Sequence, residues 1–317
     1  SEMAVFAHKP VLLEETVRAL RPCAGKVFVD GTLGRAGHAA ALLAAGARVI
    51  GIDRDGQALE EIAAQHAQDP DFARLMPVKG THGDIAEIVH RAGFSAVDGI
   101  LLDLGVSSPQ LDEGARGFSF MREGPLDMRM DRTQPRTAAD ILRTASEEDL
   151  AGIFRRFGEE PQARRLARAL AAARAKGIVF ETTTKLADFI SRTVGRHGAH
   201  PPATRVFQAL RMAVNDEFGE LQRALEAGLA LLKPGGRFAV ITFESLTDRA
   251  VKRFFAAHEG RMVSLQGGGA EWEGDLPRVR LPDRKPIGAS AAEIEQNPRA
   301  RSAKLRVAEM PRKEESL

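Results

Sequence analysis

The sequence predicts an α/β protein, a doubly wound sheet of mainly parallel strands into which a helical domain is inserted. Three observations predict it. Residues 26–53 read as strand, glycine-spaced turn, helix and strand, a βαβ unit. Two further apolar runs of buried-strand length stand apart from it, with helical patterns between them. The stretch 112–200 contains no strand run at all.

In chain order, Val27–Asp30 is the first strand, 39–45 a helix and Arg48–Asp53 the second strand. Val97 to Leu104 is a third, and Gly236 to Phe243 a fourth, following the turn Lys233-Pro234-Gly235. In the insertion, Leu150, Ile153, Phe154 and Phe157 fall at i, i+3, i+4 and i+7, and Leu186, Ile190 and Val194 repeat a four-residue step. Val206 to Leu232 reads as one long helix stopped by Pro-Gly-Gly. Ser302 to Val307 alternates polar and apolar residues, a last strand with Lys304 and Arg306 on its exposed face. Residues 311–317 read as a frayed tail. The resulting division is 1–111 for the first part of the core, 112–203 for the insertion and 204–317 for the rest.

Composition narrows the class. Apolar residues make up 44% and charged residues 28% of the 317 residues, as in ordinary globular chains. No apolar run approaches the ~20 residues that cross a bilayer, and 3–10 lacks a signal-peptide pattern. Cys23 is the one cysteine. It excludes an intramolecular disulfide and a multi-cysteine zinc site, and points to a reducing cytoplasm. A net charge of +2 does not itself announce a nucleic-acid partner.

Asp30-Gly31-Thr32-Leu33-Gly34-Arg35-Ala36-Gly37-His38 lies between strand and helix. Its glycines let the backbone turn sharply, and the helix start offers N–H groups to an anion such as a carboxylate. The spacing is G-x-x-G-x-x-G rather than the G-x-G-x-x-G that cradles a dinucleotide pyrophosphate. Asp53 ends the next strand, where an acidic side chain reaches ribose hydroxyls. Together these indicate an adenosyl ligand; the alternative is a structural turn followed by a solvated aspartate. Asp103 ends the third strand and runs on into Gly105-Val106-Ser107-Ser108-Pro109-Gln110-Leu111-Asp112. Such a loop suits an amino methyltransferase, because the amine lone pair of a base is delocalised and must be freed by hydrogen bonds accepted from its N–H groups. Ser-Pro-Gln is similar to the Ser-Pro-Pro-aromatic loop of DNA cytosine-N4 methyltransferases, without the aromatic residue. The alternative here is an ordinary turn with a capping serine.

The strings 101–112, Arg116-Gly117-Phe118-Ser119-Phe120 and Gly124-Pro125-Leu126-Asp127-Met128-Arg129-Met130-Asp131 resemble the bacterial 16S ribosomal RNA cytosine-N4 methyltransferase family. His8-Lys9-Pro10-Val11-Leu12-Leu13, Phe207-Gln208-Ala209-Leu210-Arg211 and Asn297-Pro298-Arg299-Ala300-Arg301-Ser302 extend the likeness along nearly the whole chain. The resemblance implies a class I, Rossmann-like methyltransferase core, S-adenosylmethionine as cofactor, no metal, and N4-methylation of a cytidine at the decoding centre of the small ribosomal subunit. It places cofactor contacts on Gly34, Ala36, Gly37 and His38 in the turn, Asp53 on the ribose, Ile85 beside the adenine, and Asp103 and Gln110. Ser107, Ser108 and the Pro109 carbonyl are the candidate acceptors for the target amine. Ala36 stands where the family usually has glycine, Ile85 where phenylalanine is common, and Glu244 where histidine is usual.

Arg155, Arg156, Arg164, Arg165, Arg168 and Arg174 in the insertion, with Arg299, Arg301, Lys304 and Arg306 near the end, offer phosphate contacts for a folded RNA. Acidic neighbours Glu147, Glu148, Glu159 and Glu160 equally allow a solvated helix face. A methyltransferase of proteins or small molecules would share the cofactor site without needing the basic insertion. A non-catalytic RNA-binding protein is the remaining alternative, separated by cofactor turnover.

Overall fold

A computed structural model describes residues 9–195 and 200–313. His8 and all but the first three residues of the expected tail lie outside them. The chain forms two compact units, one running to Gly105 and resuming at Gly219, the other Val106–Phe218.

The first unit contains α1 (Leu13–Leu20), β1 (Val27–Asp30), α2 (Gly37–Ala44), β2 (Arg48–Asp53), α3 (Gly56–Gln65), β3 (Leu75–Lys79), α4 (Ile85–Arg91) and β4 (Val97–Asp103). The second contains α5 (Ser108–Asp112), α6 (Ala138–Thr144), α7 (Glu147–Gly158), α8 (Ala163–Ala175), α9 (Thr183–Val194) and α10 (Pro202–Val214). The first then resumes through α11 (Glu217–Leu231), β5 (Leu232–Thr242), α12 (Ser245–Glu259), β6 (Arg261–Ser264), β7 (Ala270–Glu273), β8 (Ile287–Gly288), α13 (Ala291–Gln296) and β9 (Lys304–Glu309).

The seven-stranded sheet has the order β3-β2-β1-β4-β5-β9-β8. β3, β2, β1, β4 and β5 pair in parallel, and β9 is antiparallel to β5. The strand order reverses between β1 and β4, which pair directly with Asp30 opposite Leu101. Ligands of open α/β sheets bind outside the carboxyl ends of the strands at such a reversal. β1, β2 and β4 are continuous apolar runs because residues on both sheet faces are buried: Phe28, Val29, Ile52, Ile100, Leu101 and Leu102 have no exposed surface. β3 escapes the sequence reading because it is a largely exposed edge strand with Pro77 in its middle.

The second unit has its own core. Leu150 and Phe154 of α7, Leu166 and Leu170 of α8, Leu186, Ile190 and Val194 of α9, and Val206, Phe207, Leu210 and Val214 of α10 belong to it. That packing explains why α10 groups with the insertion and not with the sheet, moving the boundaries from 111/112 and 203/204 to 105/106 and 218/219. The long helix expected over Val206–Leu232 is two helices, parted at Asn215 and Asp216. Buried Asn215 donates to the Met128 and Arg211 carbonyls and accepts the Met130 amide, and Asp216 takes a left-handed φ of 47°.

Three of the strings that carry the resemblance, 116–120, 124–131 and 207–211, contribute bonds within this second unit. Arg116, 3% exposed, donates to the carbonyls of Arg129 and Met130. Arg129 pairs with Asp127, Gln208 donates to the Phe157 carbonyl, and Arg211 grips Glu217 through two bonds.

Candidate cofactor-binding site

Three neighbouring parallel strands of the first unit, β1, β2 and β4, each end in aspartate: Asp30, Asp53 and Asp103. The glycine-spaced turn after β1 is laid over these ends. Asp53 Oδ2 accepts the Gly34 amide at 2.7 Å and its Oδ1 accepts the Asp55 amide at 2.8 Å, so this carboxylate shapes the turn. Asp30 accepts the Thr32 amide at 3.1 Å, and the Thr32 hydroxyl in turn accepts the Asp103 amide at 2.7 Å. The turn closes at Ala36, the N-cap of α2, with a left-handed φ of 62°. This conformation favours glycine, so the alanine there carries backbone strain. Gly37 admits no side chain, because a Cβ would lie 2.2 Å from the Pro10 ring.

His38, in the first turn of α2, is 6% exposed. Its Nε2 lies 2.9 Å from the Val11 carbonyl and its Nδ1 lies 3.7 Å from Asp103 Oδ2. A carbonyl only accepts, so Nε2 carries the proton of the neutral ring and Nδ1 presents its lone pair towards Asp103. Burial lowers the imidazole's proton affinity.

Electrostatics set the chemistry of the crevice. Burial pushes the Asp103 carboxyl up to about 7. Asp30 is pushed up to about 6 by burial, against the pull of His38 and the Thr32 amide, with Asp103 and Asp53 adding repulsion. Asp53 is likewise raised by burial, against the amides it accepts. Three converging acids with a neutral imidazole suit a ligand that brings positive charge and hydrogen-bond donors. S-adenosylmethionine brings a sulfonium, an ammonium and a ribose diol. A pyrophosphate would meet like charge at the ionised carboxylates.

Gly34, Ala36, Gly37, His38, Asp53 and Asp103 are therefore brought together, and Asp30 and Thr32 join them. Sequence reasoning missed these two, although the repeated strand ending V-F-V-D, I-G-I-D, I-L-L-D carried the signal for Asp30. Ile85 is packed in the core with no exposed surface. Below the turn, His82 packs against Gly31, held at about 4 by burial and by Arg54.

Ser107, Ser108, Pro109 and Gln110 belong to the second unit. Ser107 is the N-cap of α5 in a capping box: its hydroxyl accepts the Gln110 amide at 3.3 Å, and Gln110 Oε1 accepts the Ser107 amide at 3.2 Å. The Pro109 carbonyl accepts the Glu113 amide at 2.9 Å. Gln110 is buried, and Ser108 opens the helix.

The basic residues divide by what they bond. Arg174 donates to the Leu142 and Ala145 carbonyls at the end of α6, and Arg156 to the Gly152 carbonyl. Arg306 corrects the expectation of an exposed strand face: it is 13% exposed and forms a two-bond pair with Asp248. Lys304 lies 3.8 Å from the same carboxylate. By contrast, Arg155, Arg164 and Arg165 line a cavity of about 580 Å³ at the start of α8. Neither Arg155 nor Arg164 pairs with another described residue, and Arg165 meets only Gln162.

The chain matches the model of the MraW methylase family over residues 5–311. A ribosomal RNA small subunit methyltransferase H from Methylobacterium nodulans is 50% identical over 312 residues, spanning 95% of this chain and 90% of the relative. Its counterparts in Carboxydothermus hydrogenoformans (47% over 308 residues, 96% and 98%) and Magnetococcus marinus (49% over 312 residues, 96% and 98%) are similar along their whole length.

Proposed function

The chain belongs to the MraW methylase family, and from that premise we propose that it transfers a methyl group from S-adenosylmethionine to the exocyclic N4 of a cytidine in 16S ribosomal RNA, in the bacterial cytoplasm. The observation that carries the reading is the trio of aspartates at the strand ends, assembled in a chain that matches rRNA small-subunit methyltransferases along its length.

S-adenosylmethionine supplies the electrophilic methyl group. Asp53 accepts from the ribose hydroxyls, while His38 and Asp103 take donors of the amino-acid end. The Gly37 amide lies at the start of α2, where the helix dipole favours the carboxylate, whereas the Ala36 amide donates to the Leu33 carbonyl within the turn. Gln110 acts through the α5 cap, by holding the Ser107–Pro109 loop in shape. The protein's task at the target base is to accept hydrogen bonds from the amine, so that its lone pair is released for in-line displacement. Ser108 and Ser107 are the acceptors, with the Pro109 carbonyl beside them. The arginines around the α8 cavity take backbone phosphates of the RNA.

Single-turnover transfer of labelled methyl from the cofactor to undermethylated small ribosomal subunits tests this. The parent labels RNA; Ser108→Ala slows transfer about a hundredfold with cofactor and RNA affinities unchanged, because the contact strengthens only as nitrogen becomes tetrahedral. Label appearing only in protein or a small molecule would sink the RNA reading. Normal transfer by Ser108→Ala would leave that serine a turn residue.

A further inference from the structure

The cofactor turn is held from an unexpected quarter. Ser290 caps α13 by accepting the Glu293 amide at 3.1 Å, the S-x-x-E arrangement in which a glutamate commonly folds back on its own cap. Here Glu293 Oε2 instead accepts the amide of Leu12 at 3.0 Å, 281 residues earlier in the chain. Leu12 is fully buried and left-handed, with φ 54° and ψ 36°, a strained conformation for leucine that persists only where its surroundings impose it. One residue earlier, the Val11 carbonyl takes the His38 Nε2 proton, and one residue before that the Pro10 ring fills the face left bare by Gly37. A continuous path thus leads from Glu293 through the strap Pro10–Leu12 to His38, whose Nδ1 faces Asp103 at 3.7 Å.

We propose that Glu293 is a positioning residue: by clamping the strap Pro10–Leu12 it fixes the imidazole of His38 in the Nε2-protonated tautomer, with Nδ1 turned to Asp103 as half of an acceptor pair for the cofactor. The inference rests on reading the turn as the cofactor site. Glu293 itself need touch no ligand. Without the clamp, the Val11 carbonyl loses its fixed place, and the ring can rotate or change tautomer, leaving a donor where the cofactor needs an acceptor.

Calorimetry with S-adenosylhomocysteine on the full chain, arranged as a double-mutant cycle, tests the path. Glu293→Ala should weaken binding about tenfold, the scale of one lost charge-assisted contact. Glu293→Gln, which still offers a carbonyl oxygen to Leu12, should stay within about twofold of the parent. In a His38→Ala background, Glu293→Ala should change affinity no further. Nitrogen-15 spectra should show a single Nε2-protonated His38 in the parent and a mixture of tautomers in Glu293→Ala. Additive losses in the cycle, or parental affinity in folded Glu293→Ala, would overturn the clamp. If Glu293→Ala does not fold, the parent tautomer and Glu293→Gln decide: an Nδ1-protonated parent, or tenfold loss in Glu293→Gln, overturns it. A parent that binds no adenosyl ligand would instead overturn the cofactor reading, while the tautomer spectrum still reports on the clamp.

Discussion

Asp30 and Asp103 hold their protons to about 6 and about 7 in the folded protein, whereas in an unfolded chain they would ionise near 3.8. Between these values the native state binds more protons than the unfolded state. The sign follows: the two carboxyls erode stability as pH rises from about 4 to about 7. A cationic ligand does the opposite, because it favours the ionised carboxylates. Cofactor binding at about pH 6.5 should therefore release protons, and affinity should climb as pH rises from about 6 to about 8. Titration calorimetry in buffers of different ionisation enthalpy checks both; proton uptake, or affinity falling with pH, would contradict the picture. The place of Asp53 and Asp103 at strand ends was legible in the sequence, because each closes an apolar run of buried-strand length. The full burial of Ile85 was not, since only the fold shows its side chain turned wholly into the core. Nor was Glu293, whose partner lies at the other end of the chain.

At the scale of elements, periodicity located the buried strands β1, β2 and β4 and the apolar faces of α7 and α9. It failed where tertiary contacts override local pattern. The break between α10 and α11 escapes local pattern, because Asn215 is fixed by the Met128 carbonyl, 87 residues away in sequence, and by the Met130 amide. Arginine counts were similarly ambiguous: a helical arginine facing solvent and one sealing a neighbour's carbonyls look alike in sequence. The structure separates them, giving Arg174 to the end of α6 and leaving Arg155, Arg164 and Arg165 around the α8 cavity. Changing these last three to glutamine should weaken binding to small subunits and flatten its dependence on salt, because fewer counterions are released, with cofactor affinity unchanged. An unaltered salt slope would make the cluster a solvated helix face.

Over the whole molecule, the chain divides into a unit built on the sheet, which carries the candidate cofactor turn, and a helical unit with its own core, with chain crossings at 105/106 and 218/219. Ser107 follows Asp103 by four residues, so the strand that ends in this carboxylate leads at once into the proposed amine loop. Among the described residues no helix is long and apolar enough to cross a membrane. Much of what resembles the family in Arg116, Asp127, Arg129 and Arg211 is scaffold for the helical unit, so those strings identify the fold before the chemistry. The chemistry is tested most directly by digesting 16S RNA from undermethylated small subunits after incubation with the protein and S-adenosylmethionine, then locating the added methyl by mass spectrometry. One new methyl per RNA is expected, on the exocyclic nitrogen of a single cytidine; methylation on a ring carbon, on a ribose or at scattered sites would contradict N4 transfer.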